Sequence, residues 1–286
     1  MKRFFILKSF SHFLFPAALL FAAVGHARTW RSSLESLAPF YNQGWYVTSP
    51  GDYRSSHAIT AEAGVDSCYS HKSWILGARA STNDGAGASL PHRAYPTMAF
   101  QKTTGGTFKT PALITFYAWV DIKLQARTGL DDWFSPITVT PDSTTAWARV
   151  VTLTVGPEGY LSLMHVPLQN ERILSYQASS ANGGPKFPMR KMVRIDLYID
   201  FDPRYGYAKA WLDGKLVSYG LVQGGNGRLA QMHLGLYSSA ATQYATDGKS
   251  PAVVYNDKVT VTEVTDESQA VTAVNAPPAF NACPGG

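Results

Sequence analysis

Apolar and polar residues alternate along three stretches of the chain, at 114–122, 193–200 and 232–237. This is the period of a β-strand, in which successive side chains point to opposite faces of a sheet. In each stretch one set of residues is apolar, and we expect it to face a core. The other set is polar and aromatic, and it includes Tyr117, Trp119, Arg194, Tyr198, His233 and Tyr237. We predict that these six line one concave face; the alternative is that the rings fill a second packing layer beneath loops.

Short β-prone runs of this kind recur along most of the chain, separated by clusters of Gly, Pro, Asn and Asp that favour chain reversal. The predicted strands span 57–63, 73–80, 95–102, 112–124, 147–155, 160–166, 172–177, 192–201, 206–212, 215–222, 231–237 and 252–264. We find no long amphipathic helix and no repeat of fixed period, so the pattern predicts an all-β, two-sheet antiparallel sandwich. We expect one domain at 57–264, an N-terminal arm at 28–56 and a flexible tail at 265–286.

The first 27 residues have the pattern of a signal peptide. Lys2, Arg3 and Lys8 are followed by the apolar run Phe13–Val24, and small residues end at Ala27. We therefore predict cleavage near Ala27 and a secreted or periplasmic protein with no transmembrane segment in the mature chain. The leader holds three bases and no acids, which leaves +2 of the formal charge of +5. So small an excess predicts no nucleic-acid partner.

Cys68 and Cys283 are the only cysteines. In an exported chain an even number of cysteines indicates a disulfide, and a bridge between these two would tie the tail to the body. The alternative is two free thiols.

Several enzyme classes lack their motifs. Asp196 and Asp200 share a predicted strand face, but no Glu-x-Asp-x-x-Glu pattern supplies the paired carboxylates of a glycosidase. We find no zinc, nucleotide or serine-hydrolase motif. Aromatic residues make up 13% of the chain and charged residues 16%, which is typical of a large β core or an aromatic-lined groove.

The last third of the chain resembles a known superfamily. The segments 211–217, 232–237 and 253–264 are similar to the closing strands of concanavalin A-like jelly rolls, closest to the alginate- and heparin-lyase-like members. That resemblance implies a β-jelly roll that contacts polysaccharide. The stretch from His233 to Tyr237 resembles the Lys-x-Gly-x-Tyr motif of alginate lyases, which implies that Tyr237 is the acid and that His233 takes the place of the lysine. Arg93 matches one arginine of a second family motif.

Two further residues are candidates for the remaining catalytic roles of a lyase, and each of them also has a purely structural interpretation. His165 is a candidate base, or a buried and hydrogen-bonded histidine. Arg194 is a candidate for neutralising a uronate carboxylate, because its fork suits bidentate pairing, or else it forms a salt bridge with Asp196 or Asp213. Related jelly rolls place a structural Ca²⁺ near the position of Asn256-Asp257, but no cluster of Asp residues accompanies it here. We therefore predict no cofactor and leave calcium open.

The sequence thus predicts a protein that recognises an extracellular polysaccharide, with Tyr117, Trp119, Tyr198 and Arg93 as binding residues. Cleavage of an acidic polysaccharide by β-elimination is the enzymatic form of this hypothesis. The alternative is a non-enzymatic carbohydrate-binding or cell-envelope protein. No nucleotide partner is predicted.

Overall fold

The computed structural model describes residues 27–32, 34, 45–47, 55–60, 70–75, 92–103, 105–124, 132–143, 147, 149–167, 173–174, 176–238 and 252–276. Cys68, Cys283 and nearly all of the predicted leader lie outside these residues, so the disulfide and the signal peptide stay predictions.

The described residues form two large antiparallel sheets, in which the strands are numbered along the chain. The nine-stranded sheet contains β1 (Thr29–Ser32), β3 (Ser55–Thr60), β4 (Ser70–Ile75), β8 (Ala112–Asp121), β13 (Tyr176–Gln177), β14 (Val193–Asp200), β15 (Tyr207–Leu212), β16 (Lys215–Leu221) and β19 (Ala252–Glu263). Its order is β13-β16-β15-β14-β8-β19-β4-β3, and β1 also pairs with β19.

The eight-stranded sheet packs against the first. It contains β2 (Trp45–Val47), β5 (His92–Ala94), β6 (Pro96–Ala99), β9 (Phe134–Thr140), β10 (Val150–Val155), β11 (Leu161–Val166), β12 (Ile173–Leu174) and β18 (Gln231–Ser238). Its order is β12-β11-β10-β9-β18-β6-β2, and β5 also pairs with β18. A two-stranded ribbon joins β7 (Phe108–Lys109) to β17 (Arg228–Leu229), and short 3₁₀ turns lie at Phe100–Lys102 and Ser180–Asn182.

One apolar core fills the space between the two sheets. The inward residues predicted from alternation on β8, β14 and β18 are all fully buried in it. The largest side chains of this core are Phe100, Phe108, Phe116, Phe134 and Phe201. Burial of each ring contributes about 1.5–3 kcal/mol relative to exposure. The predicted fold class, a two-sheet antiparallel sandwich, is confirmed.

The turn between β15 and β16 shows how local sequence sets a hairpin. Asp213 and Gly214 both have positive φ angles, 49° and 79°. A two-residue hairpin loop of type I′ requires this conformation at both positions, and Asp-Gly is a preferred pair for it. The predicted reversal at this site is therefore confirmed.

Strand β9 is missing from the sequence prediction, although it lies between β10 and β18 in the middle of its sheet. Pro136 interrupts its pattern, and proline is normally excluded from central strands because it has no N–H to donate. The structure tolerates it because both ladders are irregular there. Gly235 and Leu236 of β18 lie opposite Pro136 alone, and the register toward β10 also shifts at this point.

The segment assigned to a tail begins with a helix, α1 (Glu267–Asn275). The Asp266 side chain accepts a hydrogen bond from the backbone N–H of Gln269 at 3.0 Å, which is the usual N-cap arrangement. The helix buries Ala270 and Val274 against the outer face of the nine-stranded sheet. No helix in the described part of the chain is long and apolar enough to cross a membrane.

Candidate functional site

The predicted site residues lie on two opposite outer faces of the sandwich. Tyr117 and Trp119 on β8, with Arg194 and Tyr198 on β14, belong to the nine-stranded sheet, whereas His233 and Tyr237 on β18 belong to the eight-stranded sheet. The prediction that all six line one face is therefore wrong. Alternation identified which residues turn away from the core, but strand pairing decides which sheet they belong to.

Five aromatic side chains form a continuous array on the outer face of the eight-stranded sheet, and we call them the ring array: Tyr95, Trp133, Trp147, His233 and Tyr237. The Tyr95 ring stacks on the imidazole of His233, with centroids 4.1 Å apart and an interplanar angle of 19°. The ring of Trp147 also contacts this imidazole, with ring centroids 3.4 Å apart and an interplanar angle of 34°. Edge contacts join Tyr95 to Tyr237 at 5.7 Å and Tyr237 to Trp133 at 5.2 Å.

Buried hydroxyl groups lie on the sheet next to the ring array. Thr138 is the cross-strand partner of His233, and Ser135 is the partner of Tyr237. The hydroxyl of Thr152 lies 2.7 Å from the Ser135 hydroxyl and 2.9 Å from that of Thr138. All three side chains are buried. The floor beside the rings is therefore a hydrogen-bonded group of hydroxyls.

Local geometry places two members of the array, Trp147 and Tyr237. Asp142, which precedes Trp147, forms an ion pair with Arg149, which follows it, and the Asp142 carbonyl accepts a hydrogen bond from Gln231 Nε2 at 2.7 Å. On β18 the register irregularity includes Gly235, whose φ of 142° favours glycine. Bulges redirect the side chains that follow them, and here the residue after the bulge is Tyr237.

Arg93 of β5 is the cross-strand partner of Tyr237, with backbone pairing from His92 to Ala94. The strand that the resemblance selected therefore lies beside the strand that carries His233 and Tyr237. The Arg93 side chain lies outside the described part of the structure.

The outer face of the nine-stranded sheet has a different chemistry. Arg194 Nε donates to Asp196 Oδ2 at 2.8 Å, and Arg194 Nη2 donates to the carbonyl of Val274 at the end of helix α1. The hydroxyl of Thr115 donates to Asp196 Oδ1 at 2.7 Å. Of the two roles predicted for Arg194, the salt bridge with Asp196 is present. Asp213 instead accepts a hydrogen bond from the Arg194 backbone N–H.

Burial dominates the electrostatics of this face. It raises the pKa of Asp196, which is 1% exposed, even though Thr115 and Arg194 act in the opposite direction. Burial, followed by the carboxylates of Asp200 and Glu267, raises the pKa of Tyr198 to about 12. Tyr198 lies beneath helix α1 together with Leu113, so its ring fills a packing layer and does not line a groove.

Tyr117 and Trp119 are half-buried on the same face. Burial raises the pKa of Tyr117. The Trp119 ring makes an edge contact with the ring of its cross-strand neighbour Tyr255, with centroids 5.2 Å apart. These contacts are ordinary cross-strand packing.

His165 faces the core. It is completely buried, its Nδ1 lies 2.9 Å from the carbonyl of Val150, and its Nε2 accepts the backbone N–H of Gln223 at 2.9 Å. Burial lowers its pKa, although both hydrogen bonds act to raise it. The structural alternative predicted for His165 is the one observed, and the role of lyase base is excluded because both nitrogens are occupied inside the core.

Asn256 and Asp257 lie within β19, inside the strand predicted at 252–264. The Asn256 amide donates to the carbonyl of Tyr117 at 3.5 Å. In the part of the chain that the structure describes, no three His, Cys, Asp or Glu side chains are grouped so that they could hold a metal ion.

Sequence reasoning missed Tyr95, Trp133 and Trp147 as site residues. In the structure all three lie outside the strands, although the predicted strands at 95–102 and 147–155 begin at Tyr95 and Trp147. Tyr95 ends the stretch 91–95 that was matched to the Arg93 motif, and Trp133 and Trp147 lie on either side of the unrecognised strand β9. Recognition of β9 would have directed attention to the two tryptophans.

No family model matches this chain, and no curated protein matches its sequence. Among solved structures, it is similar to an endo-β-1,4-glucuronan lyase from the fungus Trichoderma reesei, with a TM-score of 0.49 and 12% identity over 77% of this chain and 92% of that one. It is also similar to the binding domain of botulinum neurotoxin serotype C1, with a TM-score of 0.43 and 9% identity over 88% of this chain and 48% of that one.

A third similar structure is the binding domain of botulinum neurotoxin DC in complex with SialylT, with a TM-score of 0.44 and 9% identity over 79% of this chain and 46% of that one. The chain thus spans about half the length of the two toxin chains. The roles of individual residues depend on their own contacts.

Proposed function

We propose that this protein recognises an extracellular polysaccharide on the outer face of its eight-stranded sheet. The observation that carries the proposal is the ring array, five aromatic side chains in mutual contact next to a group of hydroxyls. Sugars present apolar C–H faces that pack on aromatic rings, and their hydroxyl groups need polar partners. Binding sites commonly combine aromatic walls with a few placed polar groups. The predicted leader supports an extracellular setting.

A matched pair of tryptophan variants tests this proposal. Trp147→Ala removes one end of the ring array, and we expect the affinity for the polysaccharide to fall about tenfold or more, the loss typical of an aromatic binding residue. Trp119→Ala removes a similar ring from the opposite face, and we expect affinity to stay at the wild-type level. Alginate, heparin, pectin and glucuronan are the polymers to compare by calorimetry. Loss of binding in Trp119→Ala alone would place the site on the nine-stranded sheet.

The second candidate function is β-elimination at a uronate residue of that polysaccharide. The observation that favours it is the position of an imidazole and a phenol, His233 and Tyr237, in contact with one shared ring. His233 takes the proton from C5, the electron pair of that bond forms the C4–C5 double bond, and the C4–O bond breaks. Tyr237 donates its proton to the leaving oxygen. Arg93, which the resemblance matches to a family arginine, is the residue that we propose neutralises the uronate carboxylate.

Ultraviolet absorbance of the unsaturated uronate product measures this reaction directly. We expect Tyr237→Phe to abolish product formation and to keep the affinity for polymer, because only the phenolic proton is removed. Tyr198→Phe is the control, since that phenol lies beneath helix α1 on the other face. Wild-type protein that binds a polymer without forming product would identify a non-enzymatic carbohydrate-binding protein.

A further inference from the structure

Tyr95 occupies the centre of the ring array. It is 6% exposed and lies between β5 and β6, both of which pair with β18. Its face stacks on His233 at 4.1 Å, while an edge contact at 82° joins it to Tyr237 at 5.7 Å. One buried ring therefore contacts both groups that the elimination mechanism uses.

The two contacts constrain different motions. Parallel stacking limits tilting of the imidazole, and the contact with Trp147 on the same imidazole adds a second restraint. The edge contact limits rotation of the Tyr237 ring, which follows the irregular register at Gly235. Aromatic pairs in these geometries contribute about 0.5–1.5 kcal/mol beyond simple burial, enough to select one side-chain arrangement among several.

We propose that Tyr95 is a positioning residue that holds the His233 imidazole and the Tyr237 phenol in one fixed arrangement. This inference rests on the elimination function proposed above, and it assigns Tyr95 no proton and no contact with the reacting atoms. The aromatic ring performs this role through packing. The phenolic oxygen is not required for it.

Two substitutions separate the ring from its hydroxyl. We expect Tyr95→Phe, which keeps the ring and both of its contacts, to lose much less kcat than Tyr95→Leu and to keep the shape of the pH profile. Tyr95→Leu removes both ring contacts, and we expect kcat to fall by about 10²-fold with little change in KM, because misplacement of catalytic groups by about 1 Å has an effect of this size. A wild-type kcat in Tyr95→Leu, or equal losses in Tyr95→Phe and Tyr95→Leu, would overturn the proposal.

Nuclear magnetic resonance of the His233 ring tests the positioning without any reference to activity. In wild-type protein and in Tyr95→Phe, we expect ring currents to displace the imidazole C–H resonances and cross-peaks to join residue 95 to His233. In Tyr95→Leu, or in Tyr95→Met if the leucine variant does not fold, this displacement should shrink. Unchanged imidazole resonances would overturn the role of Tyr95, even in a protein that binds polysaccharide without cleaving it. If the wild-type protein forms no product while the resonances respond as expected, the elimination function fails and the positioning of His233 by Tyr95 stands.

Discussion

The two outer faces of the sandwich are both built from strands that alternate apolar and polar residues, yet they have opposite chemistry. On the nine-stranded sheet, Arg194, Asp196 and Thr115 form a buried ionic network that ends on a carbonyl of helix α1. On the eight-stranded sheet, aromatic rings lie beside uncharged hydroxyls. Because the charged groups of the first face already bind one another, the second face is the better candidate for binding a ligand.

The comparison also separates two reasons for an outward-facing aromatic residue. Tyr198 turns away from the main core, but it packs in a second apolar cluster formed with helix α1. Tyr237 also turns away from the core, and its neighbours are the rings of Tyr95 and Trp133. The same alternation therefore produces a packing residue on one sheet and a candidate site residue on the other. The following predictions test this difference, from the largest expected effect to the smallest.

The ionic network of the nine-stranded sheet should be structural. We expect Arg194→Ala to lower the free energy of unfolding by about 3–5 kcal/mol, because it leaves the buried carboxylate of Asp196 without its partner. Denaturant unfolding measures this loss, and polysaccharide binding by the folded variant should be unchanged. Arg190→Ala is the control, since its pair with Asp121 is largely exposed and contributes about 0–1 kcal/mol. A loss of binding in folded Arg194→Ala would return Arg194 to the candidate site.

His165 lies in the core between the two faces, and it should make stability depend on pH. Burial lowers its pKa in the folded protein from the ordinary 6.5, so the unfolded chain binds the proton more tightly. The stabilisation is therefore present above pH 6.5 and is lost as the pH falls below that value, by at most about 1.4 kcal/mol per pH unit. Unfolding free energies measured on both sides of this pH should show the slope. Glutamine does not titrate, so His165→Gln should lose the part of the pH dependence that comes from His165. An identical slope in the wild-type and variant proteins would contradict the assignment of this pH dependence to His165.

The helix that covers the nine-stranded sheet should depend on its N-cap. We expect Asp266→Ala to lower the free energy of unfolding by about 1 kcal/mol, because the N–H of Gln269 loses its acceptor. Faster hydrogen exchange should appear in helix α1 and not in the ring array. Thr272→Ala, at an exposed position of the same helix, should change stability by about 0.5 kcal/mol or less. Faster exchange at β18 in Asp266→Ala would mean that the two faces are coupled.

Much of the strand layout could be predicted from sequence, because it depends on local patterns. Strands such as β14 and β15, and the Asp213-Gly214 turn, follow from alternation and turn chemistry alone. Strand β9 could not be predicted in this way, since Pro136 is accommodated only by irregularities in the two neighbouring strands. Helix α1 was missed because its apolar side is short and finds its partners on three distant strands, β8, β14 and β15.

The candidate site was likewise predicted only in part from local sequence patterns. Sequence by itself determined that the fold is an antiparallel sandwich and that His233 and Tyr237 turn away from its core, since both depend on the two-residue period of a strand. Only the tertiary structure decided that Tyr95, Trp133 and Trp147 join them, that Arg194 instead pairs with Asp196, and that His165 is buried. These outcomes depend on which strands pair across the sheets and where the loops come to rest. Such contacts join residues far apart in the chain, and no local pattern of hydrophobic and polar positions encodes them.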